Sequence, residues 1–152
     1  MQQLGATRAL AGWRRQAGFT LVEIFLVVAL VAVLAGIALP VYQNAVTKAR
    51  RSDAKAALLT VANKQESFML DRSTYTDDMA DLGFGRDPMV SEEGHYAVDA
   101  GPCSGGSLAS CYQLTATPLP SSAQARDSQC ANFTLDSLGN KSASGPLGAE
   151  CW

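Results

Sequence analysis

The sequence predicts an α+β chain, with one long amino-terminal helix, apolar in its first half and amphipathic in its second, packed on an antiparallel sheet of three to four strands. Three observations carry that prediction. An uninterrupted apolar run from Phe19 to Leu39 passes into an amphipathic stripe beyond Pro40 without a convincing stop signal. Short alternating runs follow in the carboxy-terminal half. All four cysteines, Cys103, Cys111, Cys130 and Cys151, fall in that half and none in the predicted helix. A long helix laid against one face of a strand meander closes such elements around a single core.

Met1 to Gly18 form a leader with Arg8, Arg14 and Arg15 and no acidic residue. From Phe19 to Leu39 every residue is apolar, small or Thr except Glu23. About 20 such residues cross a bilayer as a helix, so residues 19–40 are predicted to span a membrane with one acid inside it. An ionisable group at that depth costs about 2.5 to 3.5 kcal/mol on insertion scales and calls for a partner, which the span itself does not contain. A secretory signal would instead be cut after its apolar region, and Ala35-Gly36-Ile37-Ala38 could pass for such a site. Against that, the run exceeds the roughly 7 to 15 residues of a signal core, and it carries Glu23. Arg14-Arg15 is weak evidence for twin-arginine export; the three arginines fit better as charges that hold the leader in the cytoplasm.

Beyond Pro40, Val46, Ala49, Ala54, Leu58, Val61 and Phe68 recur mostly at three- and four-residue steps, with Lys48, Arg51, Lys55, Lys64 and Glu66 between them. Pro40 removes a backbone donor and Gly36 weakens the same region, so the helix is expected to kink there without ending. From Phe19 to about Asp71 it would measure roughly 80 Å. Arg72 to Gly83 is rich in turn formers and is predicted to be a loop. Strands are predicted at His95 to Val98, Cys111 to Pro118 and Asn132 to Asp136, with a turn at Ser137 to Lys141 leading to a short last strand. The Gly- and Ser-rich stretch Gly101 to Ser110 is predicted to be a loop.

Removing the leader leaves nine Lys and Arg against 14 Asp and Glu, a net charge of −5. That balance does not suit a broad basic face for nucleic acid, although local basic patches are compatible with it. Outside the cytoplasm the four cysteines should be oxidised. Three pairings are possible. Cys103–Cys111, pinching the loop before a strand, and Cys130–Cys151, tying down the carboxy terminus, are the favoured pair, while spacing alone leaves connectivity open. The cysteines lack the close pairs of a zinc site, and His95 is the single histidine. Asp77, Asp78 and Asp81 lack the spacing and glycine of a calcium loop and fit a solvated acidic loop better. Trp152 and Tyr75 fit packing roles. No catalytic constellation emerges, and neither a cofactor nor a metal is expected.

Gly18-Phe19-Thr20-Leu21-Val22-Glu23, set between a basic leader and an apolar helix, resembles the cleavage motif of type IV prepilins and pseudopilins. The resemblance implies that a prepilin peptidase cuts after Gly18 and methylates Phe19, and that Glu23 meets the amino-terminal charge of a neighbouring subunit during assembly. Cys111-Tyr112-Gln113-Leu114-Thr115-Ala116-Thr117-Pro118, then Asp127, Cys130, Phe133-Thr134-Leu135-Asp136, Gly139, Lys141 and Cys151-Trp152 resemble the sheet and disulfide-bounded tail of PilE-type minor pilins.

The implied architecture is the type IV pilin fold, with 1–18 as leader, 19–40 as transmembrane and filament-core helix, and 41–152 as amphipathic helix and disulfide-stabilised head. The implied function is that of a non-enzymatic, minor structural subunit that joins or primes a pilus for twitching motility, adhesion or DNA uptake. Its partners would be other pilins, the peptidase and methylase, the inner-membrane assembly machinery and the membrane itself; nucleic acid stays open. It would cross the inner membrane once and later lie in the extracellular pilus. A type II secretion pseudopilin shares the amino terminus, but major members of that group rely on a calcium-binding end. A tip-located adhesin or DNA-binding pilin is the other alternative.

Overall fold

The computed structural model describes residues 18–152, and the predicted leader up to residue 17 lies outside the described residues. The chain divides into two units, Met1–Pro40 and Val41–Trp152. Helix α1, Leu21–Arg72, contributes to both and contains Pro40. In the first unit its side chains are exposed, among them Phe25, Leu34 and Ile37. This helix is long and apolar enough to cross a membrane.

In the second unit α1 becomes one wall of a core. Ala54, Leu58 and Val61 are fully buried, which is the predicted stripe at steps of four and three. The stripe differs from expectation at its ends, where Ala49 is exposed and Val46 and Phe68 are only partly covered. Arg51, Asp53 and Gln65 are buried on the same stretch, which helical periodicity of apolar residues could not reveal. Gln65 serves the loop that follows. Its Nε2 donates to the Thr76 carbonyl and its Oε1 accepts from the Thr76 amide at 3.1 Å, as a backbone partner would. The loop also sends Met79 and Leu82 into the core.

The sheet has five antiparallel strands in sequential order: β1 (Met89–Val90), β2 (Tyr96–Pro102), β3 (Tyr112–Pro118), β4 (Phe133–Asp136) and β5 (Lys141–Ala143). Three to four strands were expected, and the addition is β1, whose two residues are too few to show an alternating pattern. β2 extends through Gly101 and Pro102, the start of the predicted loop, because its whole length pairs with β3 from Tyr96↔Pro118 to Pro102↔Tyr112. Register aligns one buried row across all strands. Met89 opposes Val98, Val98 opposes Ala116, Ala116 opposes Phe133, and Phe133 opposes Ala143. A one-residue slip would turn this row to solvent, so burial holds the register. Asp136 closes the β4–β5 turn by accepting from the amides of Leu138 and Asn140, and Gly139 there adopts φ 80°, which favours glycine.

Candidate functional site

The predicted processing point lies just ahead of the helix. Gly18, Phe19 and Thr20 precede α1, and Thr20 Oγ1 accepts from the Glu23 amide at 3.2 Å. Thr20-Leu21-Val22-Glu23 thus supplies half of a capping box, a signal present in the sequence in the Thr-x-x-Glu spacing. The Glu23 carboxylate makes no side-chain hydrogen bond or ion pair among the described residues.

Within the second unit, the first turns of its part of α1 are tied to the chain before Cys130. Arg51 Nε and Nη2 donate to the two oxygens of Asp127 at 2.7 and 2.9 Å. Gln124 Nε2 donates to Asp127 at 2.9 Å and to the Thr47 carbonyl at 3.3 Å. Asp127 also accepts from the amides of Gln129 and Cys130. Burial alone would raise the Asp127 carboxyl, but the Arg51 guanidinium and these amides outweigh it and hold the group below its ordinary value. The network floors a cavity of about 590 Å³ bordered by Lys48, Arg126, Ser128 and Glu150.

The cysteines are joined as Cys103–Cys111 and Cys130–Cys151, with Cα separations of 5.7 and 5.8 Å. The second bond brings Trp152 against Phe133, ring centres 6.0 Å apart, while its Nε1 donates to the Ser142 carbonyl at 2.7 Å. Tyr75 packs edge-on against Tyr112 at 4.7 Å. His95 is half-buried, its Nδ1 3.1 Å from Ser122 Oγ. Asp53 accepts from Ser91 Oγ and from the amides of Glu93 and His95, so it holds the turn before β2 to the helix. Asp78 accepts from the Ala80 amide and Asp81 from the Thr76 hydroxyl, which places these carboxylates in the closure of their own loop.

Five of the cations fall into two groups. Lys55 is held below its ordinary value first by burial and then by the charges of Arg51, Lys141 and Lys48, which places those cations around it. Lys141 Nζ lies 5.2 Å from the Trp152 ring centre. On the helix, Lys48 and Lys55 are seven residues apart and share a face, while Arg50 lies roughly 200° around from Lys48. Arg50 instead borders a second cavity with Tyr42 and Arg126. Among the described residues Arg51–Asp127 is an ion pair and Glu93 lies 3.7 Å from His95 Nε2, so none of these five cations is held by a carboxylate. Charge counts along the chain could not find either group, because Lys141 and Arg126 reach them through the fold.

Residues 40–134 match the model of the family described as type IV minor pilin ComP, DNA uptake sequence receptor. The chain belongs to that family of minor pilins. Residues 13–39 of this pilin match the prokaryotic N-terminal methylation motif, which covers Gly18, Phe19 and Glu23. The pilin is 36% identical over 70 residues to the type IV major pilin protein PilA of Myxococcus xanthus, covering 46% of this chain and 32% of the relative. It is 30% identical over 87 residues to a fimbrial protein of Pseudomonas aeruginosa, covering 53% of this chain and 56% of that one. It therefore spans about a third and about half of these relatives' lengths. A type IV pilin structure from Shewanella oneidensis aligns with a TM-score of 0.47 at 21% identity, covering 70% of this chain and 97% of the other.

Proposed function

We propose that this chain is a minor subunit of a type IV pilus whose head contacts DNA. The observation that carries this reading is the family match over residues 40–134, to a family described as DNA uptake sequence receptors. In support, the matched segment contains Lys48 and Lys55, and Lys141 joins them beside Trp152 on an otherwise acidic chain. Ammonium groups at the surface contact phosphates through charge, Lys48 and Lys141 exposed and Lys55 half-buried between them, and an aromatic ring among them offers a stacking surface. The Cys130–Cys151 bond holds Trp152 of this face to the sheet, so little conformational freedom is lost there on binding.

In this reading the precursor sits in the inner membrane through residues 19–40. The peptidase cuts after Gly18 and methylates Phe19. The assembly machinery then extracts the subunit, and its apolar helix exchanges lipid for the helices of neighbouring pilins. Glu23 meets a neighbour's terminal amine, and Gly36 and Pro40 let the helix bend as it packs. The role is structural and recognitive, with no reaction catalysed. A type II secretion pseudopilin is less well supported, since the family match is to a minor pilin.

The test is binding of the mature full-length chain, in detergent, to a short DNA duplex over a series of salt concentrations. Lys55→Gln with Lys141→Gln should lower the slope of log affinity against log salt by about 1.8, at roughly 0.9 for each phosphate that the variant no longer neutralises. An unchanged slope would remove these residues from the interface; no binding by the wild type would leave a pilus subunit for adhesion or motility.

A further inference from the structure

We propose that the surface around Tyr42, Arg50 and Arg126, in the second unit, is a docking surface for the phosphate headgroups of anionic phospholipids, occupied before the subunit leaves the membrane. The inference rests on the reading of residues 19–40 as a membrane span. A cavity of about 450 Å³ lies here, bordered by Tyr42, Val46, Thr47, Arg50, Ala123 and Arg126, and no acidic residue lines it. Tyr42, Val46 and Ala123 give it an apolar wall, and the two arginines give it charge. Neither arginine makes an ion pair among the described residues, although acids outnumber bases in the mature chain. Arg51, one residue along, is by contrast consumed by Asp127.

Position argues for lipid as the occupant. Tyr42 is three residues past Leu39, so the chain tethers it within roughly 11 Å of the end of the apolar run, whatever the helix does at Pro40. Arg50 is eight residues further, about 12 Å up the helix. An exposed tyrosine directly after a span suits the interface, where its ring lies among headgroups and its hydroxyl stays wet. Cations close to the exported end of a span oppose the usual inside-positive bias, which makes unpaired Arg50 unexpected unless something negative receives it. Arginine also reaches well below its own Cα with an apolar stem, and its planar fork matches phosphate oxygens. Each such cation near an anionic surface favours the docked state about fivefold, so the two arginines together favour it by roughly 25-fold. Arg50 lies on a different side of α1 from Lys48 and Lys55, so it belongs to this surface alone, while Arg126 borders both this cavity and the one beside Lys48.

The test places the mature full-length chain in lipid nanodiscs of phosphatidylcholine alone or with about one part in three phosphatidylglycerol, each carrying a trace of lipid with a gadolinium-chelating headgroup. Paramagnetic broadening is read at the amides of Ala123 to Arg126, which the apolar helix does not carry into the bilayer. It should be strong only with phosphatidylglycerol, and should fall to the phosphatidylcholine level in Arg50→Gln with Arg126→Gln. It should fall likewise in about 0.5 M salt, where screening shrinks the reach of charge to roughly 4 Å. Unchanged amide shifts in β2 to β4 show that the double variant is folded. Equal broadening in both lipids, or broadening that survives in the double variant, overturns the proposal. Displacement of the Ala123 to Arg126 signals by a DNA duplex, with none by phosphatidylglycerol, overturns it in favour of nucleic acid. Co-elution with the disc reads membrane insertion separately, so failure of the span reading is seen as failure to co-elute, which overturns both.

Discussion

Asp127 gathers five hydrogen bonds, from Arg51 twice, Gln124, and the amides of Gln129 and Cys130. Removing the carboxylate leaves the Arg51 guanidinium buried without a counter-charge, so Asp127→Ala should cost about 3 kcal/mol or more. The pH dependence follows from the lowered carboxyl. The stabilisation is fully present above the unfolded value of about 3.9 and is lost as pH falls through the lower folded value. The urea midpoint of the wild-type mature chain should therefore carry an Asp127 contribution that disappears only below about pH 4. The Asp127→Ala variant should show a lower midpoint at neutral pH and a shallower acid decline. Equal midpoints at pH 7 would show that the pair contributes nothing.

At the scale of elements, the segment after β5 is held to the sheet by the Cys130–Cys151 bond and by a glycine. Gly145 has φ 122°, and a Cβ there would collide with the Gln129 carbonyl, so the chain can fold back at this point only with no side chain. The bond closes a separation of 21 residues, and Cys130→Ser with Cys151→Ser should cost roughly 3 kcal/mol in the chain-entropy model. Trp13 and Trp152 are the two tryptophans, so after removal of the leader fluorescence reports Trp152 alone. The double variant should show a red-shifted emission as Trp152 leaves Phe133, together with a lower urea midpoint. A lower midpoint with unchanged emission would mean that the tail is held by its other interactions. Much of the sheet was legible in the sequence, since Cys111 to Pro118 and Asn132 to Asp136 alternate over several residues; β1 was not, because two residues carry no period.

For the whole molecule, the exposed apolar helix and Glu23, unpaired among the described residues, both call for other molecules, which in the proposed reading are lipid first and neighbouring subunits afterwards. Glu23→Ala should be processed normally, giving by mass spectrometry a chain that begins with N-methylated Phe19, yet should enter sheared filaments poorly. Normal incorporation would sink the assembly role of Glu23, and a retained leader would place its effect at cleavage instead.

The sequence by itself determined the features that repeat locally. These are the apolar run from Phe19 to Leu39 with its single acid, the N-terminal methylation motif, the buried stripe Ala54, Leu58 and Val61, and the alternating strands. Each is visible because its period matches the geometry of one element. Only the tertiary structure decided which distant residues meet. Arg51 finds Asp127 across 76 positions, Asp53 receives Ser91 across 38, and Lys55 gains Lys141 as a neighbour. Charged side chains next to each other in sequence look alike until the sheet closes on the helix. Burial then gives Arg51 and Asp53 distant partners, Asp127 and Ser91, and leaves Arg126 to face outward, because an unpaired charge is cheap in water and costly in a core.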